Sequence, residues 1–212
     1  MHFHIITLFP GVFDSYLKES ILKRAIEDKK IKVSFYNPRD FTQDKDARVD
    51  KRPFGGGPGM VIQAEPVIKA IAKAVGRKKN VKIIFLSPSG KQFTNAYAEG
   101  VSKKYKDIVI VSGRYEGIDA RVKKVFKMED VSIGPFVLTG GELPAMLMID
   151  TISRQVRGVL GNFDSVEEHR ISSSEVYTRP EVFVYKGKKY AAPKVLLSGH
   201  QAKIEEWKKK RK

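Results

Sequence analysis

The chain reads as an α/β protein built on a mostly parallel sheet, and three observations carry that reading. Over residues 1–157, strand-like apolar runs alternate with amphipathic helical ones, the order that lays helices over a parallel sheet. Two runs, Val81 to Leu86 and Asp107 to Val111, are almost wholly apolar, as in strands covered on both faces. Turns at the carboxyl ends of strands, at 87–90, 112–117 and 134–141, are rich in Gly, Pro or Ser. Ligands of open α/β sheets bind at that edge.

Each element has its own signal. Residues 2–9 alternate and then run apolar, a strand that Pro10-Gly11 ends. Asp14 or Ser15 can cap a helix whose inner positions are Leu17, Ile21, Leu22, Ala25 and Ile26. Ile31 to Tyr36 is a second strand, stopped by Asn37-Pro38. Arg39 to Met60 is then a long polar loop ending in Gly55-Gly56-Gly57-Pro58-Gly59; a loop of that length is functional or disordered. Helices follow at Glu65 to Val75, Thr94 to Lys103, Asp119 to Val125 and Leu143 to Val156, with strands at 81–86, 107–111 and 128–133 between them. From Gly158 the periodicity breaks, so 158–174 reads as a flexible linker. Residues 175–212 form a small C-terminal segment that is too short for a good core and must pack on another chain or on nucleic acid.

Composition narrows the partners. Forty Lys+Arg against 24 Asp+Glu give a net charge of +16, which points to a polyanion such as nucleic acid. The tail Lys208 to Lys212 is basic throughout, either an RNA contact or a solvated charge run. No apolar run approaches the ~18 residues that span a membrane. MHFHIITLFP lacks the features of a signal peptide. There are no cysteines, which removes disulfides and thiolate metal sites and fits a cytoplasmic location. The glycine-rich loop is no P-loop, because GxxxxGK[ST] is absent, and GxGxxG is absent too.

The stretch Ser132 to Ala145, SIGPFVLTGGELPA, is the centre of the reading. Paired glycines let backbone approach a ligand, and the helix opening at Glu142-Leu143-Pro144 presents unpaired N–H groups. Phe136, Val137 and Leu138 could wall a flat ring. A tight surface turn would use the same residues.

Several stretches together carry a resemblance: RPFGGGPGMV, LSPSG, SGRYEGID, SIGPFVLTGGELPA, SRQVRGVLG, YTRPEV and LLSGHQAKIEEW, in consistent order over nearly the whole chain. They resemble the bacterial tRNA (guanine-N1)-methyltransferases. That resemblance implies a SPOUT-type α/β fold with a deep trefoil knot, rare among proteins, and a small, mostly helical C-terminal segment that binds tRNA and is shorter than usual for the family. It implies S-adenosylmethionine as methyl donor, magnesium as a further candidate cofactor, a homodimer with shared sites, and methylation at N1 of the guanosine immediately 3′ of the anticodon. The cofactor residues it implies are Pro88, Gly113, Tyr115, Glu116, Gly117, Ile133, Gly134, Pro135, Phe136, Val137, Leu138, Gly140, Gly141 and Pro144. For RNA it suggests Gly57, Pro58 and Gly59, with Lys208, Lys209 and Lys210.

In the family an arginine serves the guanine O6 and an aspartate some fifteen residues later is the base. Arg154 matches the arginine; His169 stands where the aspartate belongs, with Glu168 as second candidate. Pro135-Phe136 replaces the family's usual Asp-Tyr, which removes a backbone donor and a hydroxyl from the loop. Two other readings follow from these departures: a catalytically impaired knotted tRNA-binding protein, or a related SPOUT methyltransferase on another RNA.

Overall fold

The computed structural model describes residues 1–160 and 173–211, which fall into two units, Met1–Gly161 and Asn162–Lys212. The first unit is organised by five strands: β1 (His2–Ile6), β2 (Lys32–Tyr36), β5 (Val81–Gln92), β6 (Asp107–Val111) and β7 (Glu129–Ser132). They form one parallel sheet in the order β2-β1-β6-β5-β7. A two-residue antiparallel ladder, β3 (Asp50–Lys51) with β4 (Val61–Ile62), clips the long loop shut at its base.

The sheet is covered on both faces, and β6 displays why its sequence is apolar throughout. Ile108 and Ile110 enter one core with Phe3, Ile5 and Ile84, under helices α2 (Ser20–Glu27), α4 (Asn95–Lys104) and α6 (Glu142–Arg154). Val109 and Val111 enter the other with Ile6 and Leu8, under α3 (Ala64–Val75) and the short α5 (Val122–Val125). Alternate residues of one strand thus serve two cores. Thr94 caps α4, its hydroxyl accepting from the Tyr97 N–H at 3.1 Å.

Two expectations need correction. The first helix is broken into α1 (Asp14–Leu17) and α2, because Ser20 takes a left-handed φ of 46°. The break turns Leu22 and Ala25 inward and leaves Ile21 exposed. The turn expected at 87–90 lies inside β5: Leu86 and Lys91 both pair with Val131, so the four residues between them form an irregularity against β7. A side-chain carbon at Gly90 would fall 2.5 Å from the backbone of Asp130 and Val131, so only glycine permits this approach.

In the second unit β8 (Val182–Tyr185) and β9 (Lys188–Ala191) form a hairpin, followed by helices α7 (Lys194–Leu197) and α8 (Gln201–Lys209). A mostly helical segment is expected here from the sequence, and the hairpin is not foreseen. No described residue of this unit is buried. Among the described residues no helix is long and apolar enough to cross a membrane.

Three elements of the first unit are joined by a polar contact. Lys82 of β5 and Tyr97 of α4 both donate to the Glu129 carboxylate of β7, the tyrosine at 3.0 Å. Burial alone would raise the Glu129 pKa; the two hydrogen bonds overcome it and hold the group below its ordinary value of 4.5. A carboxylate depressed in the folded state stabilises fully above its unfolded pKa, and the benefit is lost as pH falls through the folded value. Glu129→Gln is expected to cost about 1–2 kcal/mol at neutral pH and to make unfolding less sensitive to pH below 4.5. Denaturant titrations of both proteins across the acid range check this.

Candidate active site

The carboxyl ends of β5, β6 and β7 meet at one edge of the sheet, and the loops leaving them enclose a cavity of about 320 Å³. That lies within the range of roughly 300–1,000 Å³ common for small-molecule sites. The loops are held by one another's backbone. Gly141 N–H donates to Gly113 C=O at 2.9 Å, and Ser112 Oγ donates to Gly141 C=O at 3.2 Å. On the other side Glu116 N–H donates to Met60 C=O at 3.0 Å, and Ile62 N–H to Gly117 C=O at 2.9 Å. The glycine-rich loop therefore ends against this site, with Gly59 packed on the Glu116 side chain.

Behind the backbone lies a charged group. Arg114 Nε stands 2.8 Å from Glu142 Oε2 as an ion pair whose angle falls outside hydrogen-bond geometry. Glu142 is buried and accepts a hydrogen bond from Thr7 Oγ1 at 2.9 Å, and the Arg114 guanidinium lies 4.8 Å from the Phe9 ring centroid. Glu142 opens α6, where a carboxylate is favoured by the helix dipole. These contacts tie the end of β1 to both cavity loops.

All of the fourteen positions suggested for a cofactor line this cavity except Pro135. Proline 135 is exposed between Gly134 and Phe136, both of which do line it. The Phe136 ring folds back on Gly134, where an added side-chain carbon would meet it at 2.3 Å. Leu86, Ser87, Arg114, Val131, Ser132 and Thr139 line the cavity as well and were missed. Arg114 sits inside the SGRYEG stretch, so the signal was present, but its partner Glu142 is distant in sequence and only the fold joins them.

The remaining candidates lie elsewhere. Gly57, Pro58 and Gly59 are exposed in the loop between β3 and β4. Arg154 is the last residue of α6 and half-buried; at about 1.5 Å per residue it lies roughly 18 Å along the axis from Glu142 at the cavity. Lys208 and Lys209 end α8 and Lys210 caps it, with its amine 2.7 Å from Glu206, so the basic stretch is a helix end rather than a loose tail. Arg211 covers the Trp207 ring at 4.6 Å. His169 and Glu168 lie outside the described residues.

A doubly covered parallel sheet with a glycine-lined cavity at its carboxyl edge defines the class: an α/β protein with a candidate small-molecule site where strand ends meet. Comparison with known proteins narrows this. The family model described as tRNA (Guanine-1)-methyltransferase TrmD matches residues 1–212, and the chain belongs to that family. A tRNA (guanine-N(1)-)-methyltransferase of Campylobacter jejuni subsp. doylei is 46% identical over 208 residues, 96% of this chain and 88% of the relative. Proteins of the same name from Clostridioides difficile and Caldanaerobacter subterraneus subsp. tengcongensis are 45% and 46% identical over 215 residues. Those matches take in 99% and 100% of this chain, and 91% and 86% of the relatives.

A side-chain carbon at Gly141 would stand 2.7 Å from Ser112 Cα and 3.0 Å from the Gly113 N, both backbone and neither able to swing away. Gly141→Ala is expected to lose about 1–3 kcal/mol of stability and to weaken cofactor binding at least about tenfold by opening the Gly113–Gly141 contact. Calorimetric titration with S-adenosylhomocysteine, beside thermal unfolding, separates the two effects.

Proposed function

We propose that the protein is a cytoplasmic tRNA methyltransferase that moves a methyl group from S-adenosylmethionine to N1 of the guanosine immediately 3′ of the anticodon. The observation that carries the reading is the cavity at the carboxyl edge, taken with family membership along the whole chain. A catalytically impaired tRNA-binding protein and an enzyme for another RNA are the competing readings. Similarity at 45–46% identity to proteins named for guanine-N1 methylation favours the lead.

The cavity suits the cofactor on its own chemistry. Leu86, Ile133, Phe136, Leu138 and Pro144 offer apolar surface for a flat ring. Gly140 and Gly141 line the cavity with backbone, and their lack of side-chain carbons lets that backbone close on Arg114, Ser112 and Gly113; Glu116 offers a carboxylate to a cationic group. S-adenosylmethionine, when bound, supplies an electrophilic methyl group on positively charged sulfur. Magnesium is a further candidate; Glu116 lines the cavity with a carboxylate, and this ion commonly takes one protein carboxylate with substrate oxygens and water.

The acceptor sets the remaining tasks. Guanine N1 carries a proton at neutral pH, so its attack needs a base, for which we take His169 first and Glu168 second. Histidine near its ordinary pKa of ~6.5 is competent in that role. As the proton leaves, negative charge grows on O6, which the Arg154 guanidinium stabilises.

Arg154 and the cavity stand at opposite ends of α6, farther apart than an arginine side chain extends. We infer that each site joins the cavity of one subunit to Arg154 of the other in a homodimer. The second unit, where no described residue is buried and Phe183, Val184 and Tyr185 are more than half exposed, is consistent with burial against RNA or a partner. We assign 1–157 to a SPOUT-type knotted domain, 158–174 to a linker and 175–212 to tRNA binding, with Gly57–Gly59 and Lys208–Lys210 as RNA contacts. The knot is proposed on family membership along the whole chain.

Two experiments test this. Purified protein with S-adenosylmethionine and a transcript bearing that guanosine is expected to form N1-methylguanosine, read by mass spectrometry; none, under conditions where tRNA binds, overturns the activity. Within the same assay His169→Ala is expected to lower kcat by about 10²–10⁴-fold without changing cofactor affinity, while Glu168→Gln changes it little; the reverse ranking would transfer the role to Glu168. For the shared site, Arg154→Ala and Gly141→Ala are each expected to be nearly inactive as separate homodimers. Subunit exchange between them restores activity if sites are composite, because one site of each mixed dimer is intact. No recovery in dimers proven mixed rules the sharing out.

A further inference from the structure

We propose that His2, His4 and Asp107 form a binding site for one divalent transition-metal ion of the zinc, cobalt or nickel class, at the amino-terminal edge of the sheet. It is independent of the cavity, from which five residues of strand, about 16 Å, separate it.

The register of the sheet creates the cluster. His2 and His4 share one face of β1, being two residues apart. Parallel pairing with β6 sets Asp107 opposite His2. The carboxylate Oδ1 lies 2.9 Å from His4 Nε2 and 3.8 Å from His2 Nδ1, and all three potential ligand atoms lie within 4.8 Å of one another. Bonds of about 2.0–2.1 Å at a tetrahedral ion put neighbouring ligand atoms roughly 3.3–3.5 Å apart. Two of the three separations bracket that value; the imidazole rings of His2 and His4, with centroids 3.8 Å apart, must spread by roughly 1–1.5 Å for both nitrogens to face one tetrahedral ion.

The outward nitrogens are already occupied. His2 Nε2 is 2.9 Å from Ser34 Oγ, and His4 Nδ1 is 3.1 Å from the Tyr36 hydroxyl. Both partners come from β2, each two residues beyond the position that pairs with the histidine. Fixing one ring nitrogen so that the other faces the ion is how metal-ligating histidines are oriented. A hydrogen-bond network alone accounts for His4 with Asp107, but it leaves His2 Nδ1 at 3.8 Å from the carboxylate, beyond hydrogen-bond reach.

Access and charge define the ion. His4 is buried, while the side chains of His2 and Asp107 are 24% and 23% exposed, which gives an entry path and a place for water as fourth ligand. Two imidazoles and one carboxylate suit zinc, cobalt or nickel; magnesium and calcium require more oxygen. Lys32 and Lys78 are close enough to act on both imidazoles and oppose any cation held by charge alone. Binding must therefore rest on nitrogen coordination.

The test uses the full, untagged protein in magnesium-free buffer with Co²⁺. Wild type is expected to bind one ion with the strong visible absorption of a low-symmetry four-coordinate site, displaced by Zn²⁺, and Zn²⁺ is expected to raise its Tm. His2→Asn and Asp107→Asn should lose the absorption and the shift, and Tyr36→Phe should weaken Co²⁺ binding about 10- to 100-fold. His2→Asn, on a partly exposed strand end, is the variant least able to disturb folding, and circular dichroism reports that directly. No absorption in wild type, or absorption that persists in both ligand variants, overturns the site.

Discussion

The meeting of two loop backbones at Gly113 and Gly141 is the constraint on which the carboxyl edge depends. Loops leaving a buried parallel sheet carry backbone groups that water cannot serve, so they must find partners. Here the loop after β6 and the loop before α6 satisfy each other, and the glycines allow them close enough to do so. The pair of half-buried Arg114 with buried Glu142 depends on the same approach. It would be unfavourable as an isolated charge pair, but Thr7, the start of α6 and the Phe9 ring each offset part of its desolvation. Shape at the site is thus set by backbone, and side chains are arranged on a frame already closed.

Much of the frame was legible because the sheet is covered on two faces. The run DIVIV at 107–111 has one meaning in a chain that alternates strands with helices, and both of its alternating sets are buried. The glycine and proline turns marked the edge where the cavity lies, and the family motifs then picked out nearly all of its wall. What sequence could not supply was pairing across distance. Nothing in Arg114 points to Glu142, nor in Lys82 to Glu129 and Tyr97; those contacts exist only once strand order is set. Ser20 was missed for another reason: a left-handed φ at a serine breaks a helix whose hydrophobic spacing reads as continuous. The insertion at 87–90 looked like an ordinary turn because its residues are turn formers, whereas the strand resumes beyond it against the same partner.

The second unit was hard to read for a physical reason. With no described side chain buried, it has little apolar area of its own to offset the entropy of ordering its residues. Sequence patterning works by revealing which face is hidden, and Phe183, Tyr185 and Tyr190 hide no face within the unit. Phe183 and Tyr190 stack across the hairpin with ring centroids 5.2 Å apart, and Tyr177, Trp207 and Arg211 group about α8. Such small clusters hold a local shape and leave apolar surface exposed.

The geometry of α6 sets a further constraint. A helix whose first turn flanks a cavity and whose last residue is its thirteenth cannot bring both ends to one small molecule. If Arg154 serves the acceptor, the acceptor must lie at that far end, and the methyl donor must come from another copy's cavity. Composite sites, as proposed, would answer one constraint directly: they would bring the arginine to the donor. A chain that folded to complete its own site would need a shorter α6, and shortening it would remove Met148, Ile149 or Ile152, all fully buried, from the core that holds the sheet. Catalytic reach and core packing oppose each other within one subunit, and the proposed pairing of two subunits would remove the conflict.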